Sequence, residues 1–315
     1  MRGPGRRRAR WIVGSSLACA LLALPSAASA RNSGFLTDNA SLLTGTSLAL
    51  KDRGSAEILD RVTLHGQIPI PGRDQWVTVT VRRGGKTVNE RVVKTNPHTG
   101  RFRTRVKLKG CCDYTAQVAH GTDVSDLVPW TVGVPATLEP GRRTLLFNRL
   151  LAQNGFHMGD VSDTYNDSTA LAILALRKTH DMERTETYDP ALFRLLLSGE
   201  APFQPVFDDD DRHVEVDISR QVMALVDHGK ATDVFHVSTG AGGTPTGDYS
   251  FYQRGPGYNA KGMYYSVYYS GNYATHGYYS VPTYPASHGC VRNPEAYSVF
   301  IYNWIELGMP MHIYA

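Results

Sequence analysis

Two histidines and a cysteine lie close together near the C-terminal end of the sequence. They occur in Thr275-His276-Gly277 and in Ser287-His288-Gly289-Cys290-Val291-Arg292-Asn293-Pro294. A thiolate is a strong nucleophile, and its pKa falls beside a histidinium or at a helix N-terminus. His276 is the candidate base, reaching the sulfur through space rather than along the chain. Gly289 lets the backbone approach a substrate carbonyl, where the N–H groups of Gly289 and Cys290 can hold an oxyanion. Downstream, Asn293 is a good N-cap, Pro294 suits the first helical position and Glu295 the first turn. Ala296, Val299, Phe300, Asn303, Trp304 and Leu307 follow at helical spacing, which puts Cys290 just ahead of a helix whose positive end faces it. The chemistry this set supports is attack of a thiol on a carbonyl, with one imidazole moving the proton.

These motifs resemble the signature of the L,D-transpeptidases of the YkuD family: an upstream histidine, then Ser/Thr-His-Gly-Cys, then Arg or Asn. The resemblance spans roughly residues 212–315, about a third of the chain. It includes Thr244-Pro245-Thr246-Gly247, which sits in the family's catalytic core. The glycine-rich loop that carries this segment, residues 239–247, lacks the Gly-Lys-Ser/Thr ending of a phosphate loop. The resemblance implies His276 as proton acceptor and donor, Cys290 as acyl carrier and His288 as a second site histidine. It also implies that Arg292 faces the substrate and that the carbonyl of Gly277 orients His276, with Ser287 and Gly289 shaping the oxyanion site. The implied donor is a peptidoglycan tetrapeptide stem, cut between the L-centre of its third residue and D-Ala. The implied product is a 3→3 cross-link to a second stem, and carbapenems are the implied inhibitors. No cofactor and no metal is expected. The connection from His276 to Ser287 is at the short end for the family.

Other readings use the same residues. An L,D-carboxypeptidase would share every group and pass the acyl chain to water. His276, His288 and Cys290 with a water would make a catalytic zinc site. A lone cysteine is most often a small buried hydrophobe, and a non-catalytic wall binder would rely on the preceding domains. Tyrosines crowd residues 249–284, and Tyr258 and Tyr264 are candidates for a peptide-binding groove because Tyr joins an apolar body to a polar tip. Alternating Tyr also suits half-buried strands.

The rest of the 315 residues must export and position this site. Residues 1–30 read as a secretory signal: Arg2, Arg6, Arg7, Arg8 and Arg10, an apolar stretch over 11–24, and a small-residue cleavage site at Ala28-Ser29-Ala30. The alternative is an uncleaved membrane anchor through the same segment, and Cys19 stands in a poor lipidation context. Either way the expected location is outside the cytoplasm, in an extracellular or periplasmic cell wall. Without those five arginines the formal net charge of +4 becomes −1, which excludes nucleic-acid binding by bulk charge. Cys111, Cys112 and Cys290 remain. The adjacent pair either closes a vicinal ring or stays as two small side chains, and Cys290 is expected to be free.

The expected fold is multidomain and mainly β. Residues 31–55 read as a flexible spacer. Residues 56–135 read as about seven short strands of an immunoglobulin-like β-sandwich. In them Phe102, Thr104, Val106 and Leu108 alternate with Arg101, Arg103, Arg105, Lys107 and Lys109. That five-cation face either contacts anionic wall polymers or is simply solvated and protects an edge. Residues 136–200 read as a three-helix bundle resembling the small peptidoglycan-binding domain, with starts at 144, at Asp167 or Ser168, and at Asp189-Pro190. Residues 201–211, with four consecutive aspartates, read as a solvated linker. Residues 212–315 form the β-rich catalytic domain with its C-terminal helix.

Overall fold

The computed structural model describes residues 45–50, 56–207 and 211–315. The expected leader at 1–30, most of the 31–55 spacer and three of the four aspartates at 208–211 lie outside the described residues.

The first region is built from β1 (Ser47–Leu50), β2 (Ala56–Glu57), β3 (Arg61–Gln67), β4 (Trp76–Arg83), β5 (Lys86–Lys94), β6 (Arg101–Lys107), β7 (Cys112–His120), β8 (Asp123–Val124) and β9 (Val128–Gly133). One sheet has the order β1-β3-β6 and the other β2-β9-β7-β4-β5, with β8 on β7. Successive side chains of a strand point to opposite faces. β4 therefore buries Val77, Val79 and Val81, and β6 buries Phe102, Thr104 and Val106 while Arg101, Arg103, Arg105 and Lys107 stay exposed. The buried residues of both sheets meet in one core. β1 is a departure from the expected spacer: Ser47–Leu50 pairs antiparallel with β3. Cys111 and Cys112 form a vicinal disulfide.

Three helices follow: α1 (Arg142–Gln153), α2 (Asp167–Thr179) and α3 (Pro190–Ser198). α3 starts where the sequence places it, with Asp189 as N-cap and Gly199 in the left-handed region at its end. α2 is capped by Asn166 rather than by Asp167 or Ser168. The Asn166 side chain accepts from the Thr169 N–H, which completes a capping box. The helices do not close a core among themselves. Phe147, Leu151, Ile173, Leu176 and Phe193 share one cluster with Val222, Ala224, Val226 and Val234 of the next region.

That region holds two further sheets. β10 (Arg212–Asp217), β11 (Val222–Asp227), β12 (Lys230–His236), β13 (Gly247–Ser250) and β18 (Pro310–Tyr314) lie in the order β12-β11-β10-β18-β13. β14 (Gln253–Tyr258), β15 (Tyr264–Ser270), β16 (Tyr273–Tyr278) and β17 (Val291–Pro294) form the second sheet in chain order. The helix α4 (Glu295–Trp304) runs on from β17. β11 is buried on both faces: Val222, Ala224 and Val226 pack on the helices, while Met223 and Leu225 pack into the second core beneath α4.

Lys178 of α2 crosses this junction. Its Nζ lies 2.6 Å from His236 Nδ1 and donates to the carbonyls of Gln221 and Val237, each at 3.1 Å. His236 Nε2 donates in turn to the Val281 carbonyl at 2.8 Å. Burial, with Arg184 nearby, holds the Lys178 ammonium down to about 6. Burial first, then Lys178, holds His236 down to about 3.

α4 corrects two expectations. Asn293 lies in β17, not at an N-cap, and the first helical residue is Glu295. The buried face is Tyr297, Ser298 and Ile301, whereas Val299 and Phe300 are 39% and 40% exposed. The apolar spacing followed residues on two sides of the helix, and the inner side is fixed by a serine hydrogen bond that hydrophobicity does not register.

Candidate active site

β16 and β17 pair in parallel, with Thr275 opposite Val291, His276 opposite Arg292 and Gly277 opposite Asn293. Cys290, immediately before β17, is thereby brought beside β16, where the Ala274 backbone N–H faces its sulfur. The pairing is reinforced across its inner face. Asn293 Nδ2 donates to Thr275 Oγ1 at 3.2 Å, and Ser298 Oγ of α4 donates to Asn293 Oδ1 at 2.8 Å. Gly277 has no room for a side chain, since a Cβ there would lie 2.0 Å from Ser298 Oγ.

The Ser287–Cys290 turn is held from both sides. Ser287 Oγ donates to the Cys290 carbonyl at 2.6 Å and accepts from the Gly289 N–H at 3.0 Å. The Gly289 carbonyl accepts from Thr244 Oγ1 at 3.0 Å and from the Tyr269 hydroxyl at 3.2 Å. Thr244 belongs to the Thr-Pro-Thr-Gly segment, so that loop braces the turn. Gly289 sits at φ +123°, and a Cβ there would lie 2.2 Å from the Tyr273 ring. The expected oxyanion pair is therefore halved. Gly289 gives its N–H to Ser287, and the Cys290 N–H forms no hydrogen bond among the described residues.

His276 is 3% exposed, and its Nδ1 lies 2.8 Å from the Gly277 carbonyl. A carbonyl only accepts, so the proton sits on Nδ1 and Nε2 keeps its lone pair. Burial holds His276 down to about 4, opposed by the Gly277 bond and assisted by Arg292. Burial likewise pushes the free thiol of Cys290 up, opposed by the Ala274 N–H and then by Arg292 and Lys261. The resting site is thus a neutral thiol and a neutral imidazole. The thiolate expected from a helix dipole is not preformed, because four residues of β17 separate Cys290 from α4 and the dipole effect fades within a turn.

Cys290, His276, His288, Ser287 and Arg292 all line one cavity of about 420 Å³. His288 is exposed at its rim. Arg292 stacks over Tyr278, 4.1 Å from the ring centroid, and Tyr278 meets His276 edge-on at 5.8 Å. Sequence reasoning missed Lys261, Met263, Asn272 and Tyr278, which complete the lining together with Tyr273, one of the crowded tyrosines. The signal for Tyr278 was its place on the strand that carries His276. Tyr258 and Tyr264 do not join them. Their ring centroids lie 4.5 Å apart with the planes tilted by 35°, the Tyr258 hydroxyl donates to Glu295 at 3.0 Å, and neither lines the cavity. Among the described residues no three His, Cys, Asp or Glu side chains are grouped to hold a metal ion.

A larger hollow of about 550 Å³ lies between the first sheets and α1. Its Arg143 is already paired with Asp60 at 2.7 Å and Glu57 at 3.3 Å, and among the described residues no cysteine or histidine lines it. The chemistry belongs to the smaller cavity.

Residues 211–313 match the family model YkuD, the L,D-transpeptidase catalytic domain. A solved L,D-transpeptidase from Xylanimonas cellulosilytica is 27% identical, with 58% of this chain and 98% of that one covered and a TM-score of 0.53. The likeness to it thus extends beyond the third of the chain that the family model matches. An L,D-transpeptidase from Stackebrandtia nassauensis is 17% identical over 58% of this chain and 96% of that one, with a TM-score of 0.36. One from Mycobacterium tuberculosis is 10% identical over 86% of this chain and 98% of that one, with a TM-score of 0.31. No curated protein matches the chain. With the motif cysteine free beside a buried base and the family model covering both, residues 211–313 are a YkuD-family catalytic domain and the chain is an enzyme of the L,D-transpeptidase type.

Proposed function

We propose that the protein is an exported L,D-transpeptidase that acylates Cys290 with a tetrapeptide stem of peptidoglycan, releases D-Ala and forms 3→3 cross-links. One observation carries the reading. The free Cys290 shares its cavity with an imidazole locked as a neutral base by the Gly277 carbonyl.

In the first half-reaction the sulfur attacks the carbonyl of the stem's third residue while His276 Nε2 takes the thiol proton. The Cys290 N–H, which makes no hydrogen bond among the described residues, takes the oxyanion in this reading. Collapse breaks the C–N bond, and His276 returns the proton to the departing D-Ala amine, leaving a thioester. In the second half the side-chain amine of another stem attacks the thioester. His276 takes a proton from that amine and gives it to the leaving sulfur. Lys261 and Arg292 put two cations on a wall that has no carboxylate among the described residues, which suits a donor ending in free carboxylates.

The test is incubation with purified disaccharide-tetrapeptide and mass analysis of the products. Cross-linked dimers with D-Ala released support the proposal, whereas trimmed tripeptide alone makes the enzyme an L,D-carboxypeptidase. Cys290→Ala is expected to abolish acyl-enzyme formation with a carbapenem and to leave the melting temperature within a few degrees. Undiminished cross-linking by that variant removes the thiol mechanism.

A further inference from the structure

We propose that the seam between β5 and β6 is a second binding site, for a linear phosphodiester polymer that carries no stacking bases. β5 and β6 are the edge strands of their respective sheets and face each other along one side of the first region. Two hollows of about 440 and 450 Å³ run along this seam and share Arg91. Arg83, Arg91, Arg103, Arg105, Lys107 and Lys109 line them, and among the described residues no carboxylate does. All six are exposed, and among the described residues none is ion-paired. Outside residues 1–30 the formal net charge is −1, so this concentration is local and not a general basicity.

Strand geometry keeps the neighbouring acid away. Glu90 points to the opposite face of β5 from Arg91, where Thr80 Oγ1 donates to it at 3.4 Å. On β6, Arg103, Arg105 and Lys107 recur every second residue, about 7 Å apart, giving a row of charges in line with an extended chain. Arg83 lies across Gly110, where a Cβ would come within 1.5 Å of its Nη1. Asn89 presents a buried Oδ1 with no partner to the same seam. Its amide, turned by 180°, offers Nδ2 in its place.

Four of the six cations are arginines, whose fork matches phosphate oxygens in pairs, and this favours phosphate over carboxylate repeats. Base-bearing single strands need exposed aromatic rings to stack on. The one aromatic in the lining, Tyr114, is 3% exposed and already stacked on Trp130. The occupant is therefore a polyol or sugar phosphate polymer. This site stands apart from the Cys290 cavity and does not depend on the reaction proposed there.

The experiment measures binding of the purified protein to poly(glycerol phosphate) over a series of salt concentrations. Arg91→Gln/Arg103→Gln/Arg105→Gln is expected to weaken binding about tenfold or more and to flatten the log–log salt slope by about two. Lys107→Gln/Lys109→Gln provides a second, independent pair. A charge-matched control, Arg149→Gln/Arg194→Gln/Lys230→Gln, removes exposed cations elsewhere and is expected to bind as wild type. Carbapenem acylation of Cys290 and thermal melting should be unchanged in all three. The proposal is overturned if wild type does not bind, if the control loses as much as the seam variants, if polygalacturonate binds equally well, or if an oligodeoxynucleotide binds more tightly.

Discussion

His276 donates its Nδ1 proton to the carbonyl of Gly277, its own neighbour in β16, at 2.8 Å. The peptide unit that continues the strand thus sets the tautomer of the base, and no carboxylate is needed to orient it. A carbonyl stabilises an imidazolium less than a carboxylate does. That agrees with a base held down to about 4, one that takes a proton only as the sulfur forms its bond.

The first prediction concerns that proton. His276→Ala is expected to slow acylation by a carbapenem by about 10²–10⁴-fold, the usual contribution of a positioned general base. His288→Ala, at the exposed rim, is expected to cost less than tenfold. Stopped-flow or mass-resolved acylation rates check both, and equal losses would mean the two rings share the proton transfer.

The pH profile follows from the same burial. The acylation rate should stay near its plateau as pH falls from 7 to 5 and drop only near pH 4, where His276 is protonated. A drop centred on pH 6.5 would show an imidazole free of its surroundings.

Stability has its own acid limb. His276 and His236 titrate near 6.5 when unfolded and at about 4 and about 3 when folded. Below 6.5 the unfolded chain binds protons on these rings that the folded one refuses, so the histidines' contribution is full above that pH and is lost as pH drops towards 4 and 3. His276 alone accounts for about 3 kcal/mol of this loss at 1.36 kcal/mol per unit. Asp181, whose carboxyl Arg220 holds below the usual range, contributes only at lower pH. Melting curves between pH 7 and 4 test the window, and His276→Gln should make the slope shallower.

Gly277 gives a steric prediction. Gly277→Ala would push a methyl group to 2.0 Å from Ser298 Oγ, and overpacking of this kind costs about 1–3 kcal/mol. Ser298→Ala removes the clashing oxygen. The double variant should therefore be more stable than the sum of the two single changes predicts. A denaturation cycle on the four proteins reads the coupling directly.

Lys261 is exposed at the rim of the cavity. Lys261→Met is expected to raise KM for a donor with free carboxylates by up to about tenfold, with kcat little changed, as loss of one partly screened charge pair implies. An amidated donor should show no such difference. A kcat effect of equal size on both donors would instead place Lys261 in the chemical step.

The free thiol, the buried imidazole and the carbonyl that orients it were legible because they are consecutive or motif-bound: Ser287 to Cys290, and His276 with Gly277. Strands such as Trp76–Arg83 and Arg101–Lys107 were legible because a half-buried strand alternates. What failed needed tertiary information. Lys261 and Tyr278 meet only when β14, β15 and β16 pair, and Tyr258 spends its hydroxyl on Glu295 at 3.0 Å. Asn293 is a cap by type, yet Ser298 and Thr275 hold its side chain inside the sheet. The burial that opposes a thiolate also comes from packing that spacing does not encode.

β11 is a party wall: one face belongs to the helices and the other to the nucleophile's domain. A chain cut at the family boundary near residue 211 would bare Val222, Ala224, Val226 and Val234 to water and take Lys178 Nζ away from His236. Such a fragment would keep every catalytic group and still tend to stick to its own copies. The segment that ends at α3 is therefore one side of the enzyme's own foundation, whatever else it binds.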